Sequence, residues 1–188
     1  MNELPTDFFI RHAHEEVAST NDIARELAET GAPEGTLVTA RRQHSGRGRR
    51  GNTWESIEGN VFLSLILRPD ADAQVAAQLS FVAAVTVGDL VANLLPGCTV
   101  QLKWPNDVLC DGKKISGILL EAGPSGAAGV QWLIVGIGLN VECKPASRAD
   151  ATSLRDEGDS TSGVENVIVG FSERFLVWYR TWQAQGFE

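Results

Sequence analysis

At 188 residues, with 43% hydrophobic and 21% charged side chains, the chain suits one globular domain and is too apolar for wholesale disorder. A domain of this size buries roughly 70% of the surface that its unfolded form exposes. The formal charge of −8 repels a polyanion overall, yet five of the sixteen lysines and arginines (Arg41, Arg42, Arg47, Arg49 and Arg50) fall within residues 41–50. One concentrated basic loop on an acidic molecule suits capture of a small anion better than tracking of a nucleic-acid backbone.

The N-terminus, MNELPTDFFIRHAHEE, shows no basic segment followed by an apolar run, so no secretory signal is expected. Ser19-Thr20-Asn21-Asp22 offers capping side chains before Ile23, Leu27 and Ala28, and Gly31 closes the pattern, which predicts a helix over 21–30. A strand follows at 36–40, then the basic loop, then the continuous apolar run VFLSLIL (61–67), read as a buried strand. Residues 74–95 read as one long buried helix rather than a membrane span, because Gly88, Asp89 and Asn93 interrupt it. Pro96-Gly97 stops it. The rhythm then turns to β: 99–104, 108–110, a turn at Asp111-Gly112, 114–121, a glycine-rich turn at 123–129, and 130–141. Three cysteines, Cys98, Cys110 and Cys143, make an odd set without CxxC spacing, which argues against a disulfide framework and a zinc site and for a reducing cytoplasm. Residues 144–163 read as an exposed loop. Residues 164–182 read as a final helix with Val167, Ile168, Phe171, Phe175, Trp178 and Trp182 near one face. Few helices and hairpin-coupled strands predict an α+β fold around a mixed, largely antiparallel sheet.

Residues 45–51, SGRGRRG, satisfy the G-x-G-x-x-G spelling of a dinucleotide turn. That turn must open a helix whose amides hold a pyrophosphate, but here NTWESIEGN and a strand follow, so the context fails. No Walker A spelling occurs, and a single Gly-Arg copy between firm strands is a poor RNA-binding tract. A merely solvated surface loop is the plain alternative. The remaining reading is a loop whose glycines permit close approach while its arginines offer bidentate donors to carboxylate or phosphate.

Further signals are weak singly. Asn106-Asp107 after proline fits an Asx turn, Lys114 an exposed hairpin lysine, the Gly136 and Gly138 pair a bulge or close strand packing, and Trp54 an ordinary apolar anchor. Together they form a constellation. Ser19-Thr20-Asn21, Gln43 with GRGRRG and Trp54, Asn60, KWPNDV (103–108), GKKISGILLE (112–121) and VGIGLNV (135–141) resemble the biotin protein ligases over roughly residues 8–183.

That resemblance implies a catalytic fold related to the class II aminoacyl-tRNA synthetases and a two-step reaction. Biotin and Mg·ATP give biotinyl-adenylate and pyrophosphate, and the biotinyl group then passes to a lysine of a biotin carboxyl carrier protein. It implies catalytic roles for Lys114, Arg47 and Arg49. Ser19, Thr20, Asn21, Gln43, Gly46, Arg47, Lys114 and Gly117 would bind biotin. Arg49, Arg50, Trp54, Asn106, Asp107 and Asn140 would bind ATP or the adenylate, with Asp107 the candidate contact to Mg²⁺ and the candidate base for the lysine transfer. The chain departs from the family pattern at Asn52, where a further basic residue is usual. A single catalytic domain over 1–188 is expected, with neither an N-terminal DNA-binding domain nor a C-terminal β-barrel, and with homodimer contacts as one way to complete the site. No nucleic acid or membrane partner is expected. A lipoate or octanoyl ligase-transferase and a non-catalytic biotin-binding module are the competing readings.

Overall fold

The structure, a computed structural model, describes Leu4, residues 7–126 and residues 129–186. The middle of the expected turn at 123–129, residues 127 and 128, lies outside the described residues, as do residues 1–3, 5, 6, 187 and 188. Nine strands are described: β1 (Ile10–Val17), β2 (Thr36–Gln43), β3 (Val61–Leu67), β4 (Val100–Lys103), β5 (Asp107–Cys110), β6 (Lys113–Ala122), β7 (Ser125–Gly126), β8 (Gly129–Val130) and β9 (Leu133–Leu139). The helices are α1 (Thr20–Glu29), α2 (Ala73–Ala76), α3 (Leu79–Leu94) and α4 (Val164–Gln185).

Seven strands form one sheet in the order β1-β2-β3-β9-β6-β5-β4, and β7 pairs β8 in a small hairpin. β1 and β2 are parallel, as a strand–helix–strand crossover through α1 requires, and the other pairs in the large sheet are antiparallel. The mixed, largely antiparallel sheet is the one the sequence predicts.

Alternation along the central strands assigns the two faces. Leu63, Leu65 and Leu67 of β3 and Val135, Ile137 and Leu139 of β9 join the large core with α3 and α4. Val38, Ile66 and Ile134 point the other way and pack with Ala24 and Ala28 of α1. Every residue of β3 is buried because the strand lies mid-sheet with both faces covered. Each such leucine contributes about 1.5–3 kcal/mol by leaving water.

Several expectations need correction. β1 has no predicted counterpart: IRHAHEEV is an edge strand with mostly exposed side chains, so no buried face stamps a period on it. The ion pair from Arg11 to Glu165, at 2.6 and 2.9 Å, fastens this edge to the first turn of α4 and holds the Glu165 carboxyl below its usual value. The long helix is in fact α2 and α3, parted by a turn at Ala77–Gln78. Although residues 73–94 have the length and apolarity to cross a bilayer, Leu79, Val82, Val87, Leu90 and Val91 sit in the core. On α4, Tyr179 is buried where Trp178 was expected, because a 3.6-residue period carries the face from Phe175 to the fourth residue onward. The 144–163 segment is not wholly exposed: Ala151, Thr152, Ser153 and Leu154 are buried, and residue 151 bridges Lys114. The expectation of no disulfide is overturned at one pair, since Cys98 and Cys110 are joined with Cα atoms 5.9 Å apart. Spacing in sequence conceals this pair because β4 and β5 fold back and bring residue 98 beside residue 110.

Candidate active site

The face of the sheet that carries α1 is not covered along its whole length. Beyond that helix a cavity of about 790 Å³ opens between the basic loop, the turn joining β4 to β5, and the segment after β9. Its floor follows from register. Gly117 of β6 pairs directly with Gly138 of β9, and Gly136, two residues along, faces Ser64 of β3. Core-facing and cavity-facing positions alternate on β9, so the apolar Val135, Ile137 and Leu139 face the core while Gly136 and Gly138 leave the other face bare.

The bare floor is filled by two side chains. The Trp54 indole lies across Gly117 and Gly138: a Cβ added at Gly117 would come within 2.8 Å of its ring, and one at Gly138 would run into it. A Cβ at Gly136 would strike the Asn21 amide. The glycines that read as a bulge or close packing are therefore clearance for an aromatic and an amide. Lys114 reaches over the same place. Its Nζ stands 5.4 Å from the Trp54 ring centroid and 2.6 Å from Asp107 Oδ1.

Polar groups cluster at the inner end, where α1 begins. The Gln43 side-chain oxygen accepts from the Thr20 amide at 2.8 Å and from its hydroxyl at 3.2 Å, while its NH₂ donates to Ser56 at 2.9 Å. The Ser64 hydroxyl lies 2.8 Å from the Thr20 hydroxyl and 2.5 Å from the Asn21 side-chain oxygen Oδ1, and Asn21 Nδ2 donates to Glu121 at 2.6 Å. Ser19, Thr20, Asn21 and Ser64 are all buried, so this is a network fixed before any ligand arrives. Ser64 and Glu121 escaped sequence reading because each sits in an apolar strand run. Their even spacing from cavity-facing neighbours is the signal that identifies them.

The five clustered basic residues separate into two groups. Arg41 and Arg42 belong to β2 and pair with Glu58, away from the cavity. Arg47, Arg49 and Arg50 line it. Arg47 Nη2 donates to Asp22 at 2.7 Å and to Glu121 at 3.0 Å, and its backbone bridges Thr53 to close the loop at its neck. Arg49 approaches Asn106 Oδ1 at 3.4 Å. Arg50 is exposed at φ 56°, a left-handed backbone that a β-branched residue would resist.

Ser19, Thr20, Asn21, Gln43, Arg47, Arg49, Arg50, Trp54, Asn106, Asp107, Lys114, Gly117 and Asn140 all meet on this one cavity wall. Gly46 stands apart from this group. It is not on the wall but lies behind the loop, where a Cβ would come within 2.5 Å of Ser56 Oγ and the Trp54 carbonyl. Asn140 is on the wall yet mainly ties strand to loop, donating to the Thr152 carbonyl at 2.8 Å. Arg148, absent from the sequence-derived set, also lines the cavity.

Asn60 shapes the site from behind. Its Oδ1 accepts from the amides of Val141, Glu142 and Cys143 at 2.8, 3.1 and 3.3 Å, and its NH₂ donates to the Cys143 carbonyl at 2.9 Å. Asn60→Ala orphans those groups and is expected to destabilise the fold by about 2–4 kcal/mol. Urea unfolding should show the loss as a lower midpoint at unchanged slope; a midpoint equal to that of the parent would refute the bracing role.

Comparison with known proteins identifies relatives of this chain and of its fold. The bifunctional ligase/repressor BirA of Bacillus subtilis (strain 168) is 40% identical over 196 residues, covering 98% of this chain and 58% of that protein. The biotin–[acetyl-CoA-carboxylase] ligase of Paracoccus denitrificans is 47% identical over 132 residues, covering 70% and 54%. The chain thus spans a little over half the length of these relatives. Among solved structures, the biotin protein ligase from Aquifex aeolicus in complex with biotin and ATP superposes with a TM-score of 0.79 at 30% identity, covering 93% of this chain and 72% of that one. The Leishmania major biotin protein ligase in complex with biotinyl-5-AMP gives 0.75 at 26% identity, covering 90% and 75%. Residues 14–140 match the biotin/lipoate A/B protein ligase family, and the chain belongs to it.

Proposed function

We propose that this chain is the catalytic core of an ATP-dependent biotin ligase, which makes biotinyl-5'-adenylate and passes the biotinyl group to a lysine of a biotin carboxyl carrier protein. The observation that carries the reading is Lys114 held over a glycine floor in the same cavity as Arg47, Arg49 and Arg50, beside a buried polar network.

The chemistry asks for this arrangement. A carboxylate is already ionised at neutral pH, so the first step needs no base; its barrier is repulsion between the carboxylate and the polyphosphate. Fixed cations that meet both anions lower that barrier, and Lys114 and the arginines serve this purpose. A carboxylate oxygen bonds to the α-phosphorus as the bond to the β-phosphate oxygen breaks, and pyrophosphate leaves with the electron pair. In the second step the acceptor amine attacks the acyl carbon, AMP departs, and the amine loses a proton. Asp107 is the carboxylate nearest Lys114 and our candidate to receive it.

Asp107 and Glu55 are the carboxylates on the cavity wall among the described residues. A single carboxylate beside Lys114 does not make a cage for a resident metal, but it fits Mg²⁺ that arrives on ATP and keeps its phosphate ligands. In that case the ion would neutralise phosphate charge, and Asp107 would offer it one oxygen.

The network around Thr20, Asn21, Gln43 and Ser64 favours biotin over lipoate. A ureido ring supplies donors and an acceptor that add to such a network, whereas a dithiolane supplies neither and would displace water from polar groups without replacing its hydrogen bonds. The reading requires a compartment that holds ATP and carboxylase carriers, namely the cytoplasm. Mixing the purified chain with biotin, ATP, Mg²⁺ and a carrier domain should release pyrophosphate and biotinylate one lysine. Binding of biotin without release would establish a non-catalytic module instead, and equal turnover of lipoate would overturn the specificity.

A further inference from the structure

The loop after β9 places a cation on the cavity wall that no motif accounts for. Ser147 and Arg148 line the cavity along with Arg49, Arg50 and Asn52 of the basic loop. Arg148 is mounted firmly through its backbone. Its amide donates to the Pro145 carbonyl at 3.1 Å and its carbonyl accepts from Ala151 at 3.2 Å, which makes a tight turn. That turn is docked on the strand bearing Lys114, whose amide donates to the Asp150 carbonyl at 2.8 Å and whose carbonyl accepts from Thr152 at 2.9 Å. The Ser147 hydroxyl reaches Glu55 at 3.0 Å and so joins this loop to the one that follows Trp54.

The Arg148 side chain, by contrast, is held by an easily exchanged partner. Its Nε and Nη2 each donate to the Asp150 carboxylate at 2.7 Å, two residues along the same loop, with side-chain exposures of 53% and 67%. Both side chains are more than half exposed, so solvent screens the pair and a more highly charged anion can replace the carboxylate. The fork that Nε and Nη2 form is already the geometry that a phosphate oxygen pair would accept. Arg148 shares the cavity wall with Asp107 and Lys114, the pair at its reacting end. Position 52 of the basic loop, which lines the same cavity, is a neutral asparagine.

We propose that Arg148 binds the β- and γ-phosphates of the nucleoside triphosphate, leaving Asp150 as ATP enters and stabilising the pyrophosphate as the bond from the α-phosphorus breaks. Asp150 is the resident counter-ion that holds the fork in place while the cavity is free of phosphate. Arg148 thereby supplies, from the loop after β9, the positive charge that Asn52 does not. This inference rests on the ligase reading for its substrate, but the subsite itself can be tested apart from catalysis.

The test is calorimetric titration of the full chain with inorganic pyrophosphate, together with biotin-dependent ATP–pyrophosphate exchange, for the parent, Arg148→Ala, Arg148→Lys and Asp150→Asn. Arg148→Ala should weaken pyrophosphate binding and raise KM for ATP about tenfold, with KM for biotin within twofold. Arg148→Lys should fall between, because it keeps the charge and loses the fork. Asp150→Asn should leave KM for ATP unchanged or lower it. An unchanged KM for ATP in Arg148→Ala would overturn the proposal, as would an equal rise for biotin and ATP, which would mark a collapsed loop. A parent chain that binds pyrophosphate through Arg148 yet exchanges none with biotin would refute the ligase reading and leave the subsite standing.

Discussion

Lys114→Ala is expected to lower biotin-dependent ATP–pyrophosphate exchange by roughly a hundred- to a thousand-fold, the size of effect seen when one preorganised donor is removed from a developing anion. The position explains the magnitude. Lys114 Nζ is confined by Asp107 at 2.6 Å, by the Trp54 ring and by the glycine floor, with 22% of the side chain exposed, so its charge is aimed before substrates bind. In the first step it would meet both the incoming carboxylate and the α-phosphate, and water entering in its place must reorganise to do the same work. Loss of the lysine also leaves Asp107 as an unpaired anion where a second anion must approach, so part of the loss is repulsion. Lys114→Arg should restore only a fraction, since a planar fork cannot occupy the space of a compact ammonium between an indole and a carboxylate. Thermal unfolding of each variant separates lost chemistry from lost folding. Exchange within twofold of the parent in a folded Lys114→Ala variant would remove Lys114 from the mechanism.

How far the sequence foretells this site depends on which physical signal each residue leaves. The loop arginines and Lys114 were legible because charge stands out against an apolar chain, and KWPND because a proline and two Asx residues interrupt a strand. Central strands such as β3 were legible from their unbroken apolar run. Ser64 and Glu121 were not, because one polar residue within an apolar strand acquires its meaning only from the register that turns it toward Asn21. The same holds for Gly117 and Gly138, whose pairing across β6 and β9 makes a flat bed for Trp54 and depends on residues twenty-one apart. Arg148 lay in a stretch that reads as solvent-exposed, and its burial anchor, Ala151 to Leu154, carries too few apolar residues to announce a packed segment. β1 is invisible for the opposite reason: as an exposed edge it buries almost nothing. Periodicity reports burial, and charge reports contrast. Proximity created by folding is reported by neither.

Arg47→Ala is the second large loss expected, about a hundred-fold or more in adenylate formation, and the structure gives it a particular form. The described bonds engage Arg47 through Nη2 alone, to Asp22 and Glu121, so the N–H groups of Nη1 and Nε are the donors that can each meet a ligand carboxylate or phosphate oxygen. The two acids do not compete with the substrate so much as aim the fork. They impose a penalty, however, when the guanidinium is removed. Glu121 also holds Asn21 at 2.6 Å and Arg25 at 2.8 Å, so it cannot move aside to dilute its charge. Arg47→Ala therefore removes a cation and exposes a fixed anion at the same point. Glu121→Gln alone should cost much less, about tenfold, through looser aim of Arg47 and Asn21. The double variant Arg47→Ala with Glu121→Gln should then work several-fold better than Arg47→Ala, because the second change removes the repulsion that the first exposed. Steady-state exchange across this four-member cycle measures the coupling. A double variant no better than the product of its single effects would show that Glu121 does not act on Arg47, and full activity in Arg47→Ala would remove the arginine itself from the reaction.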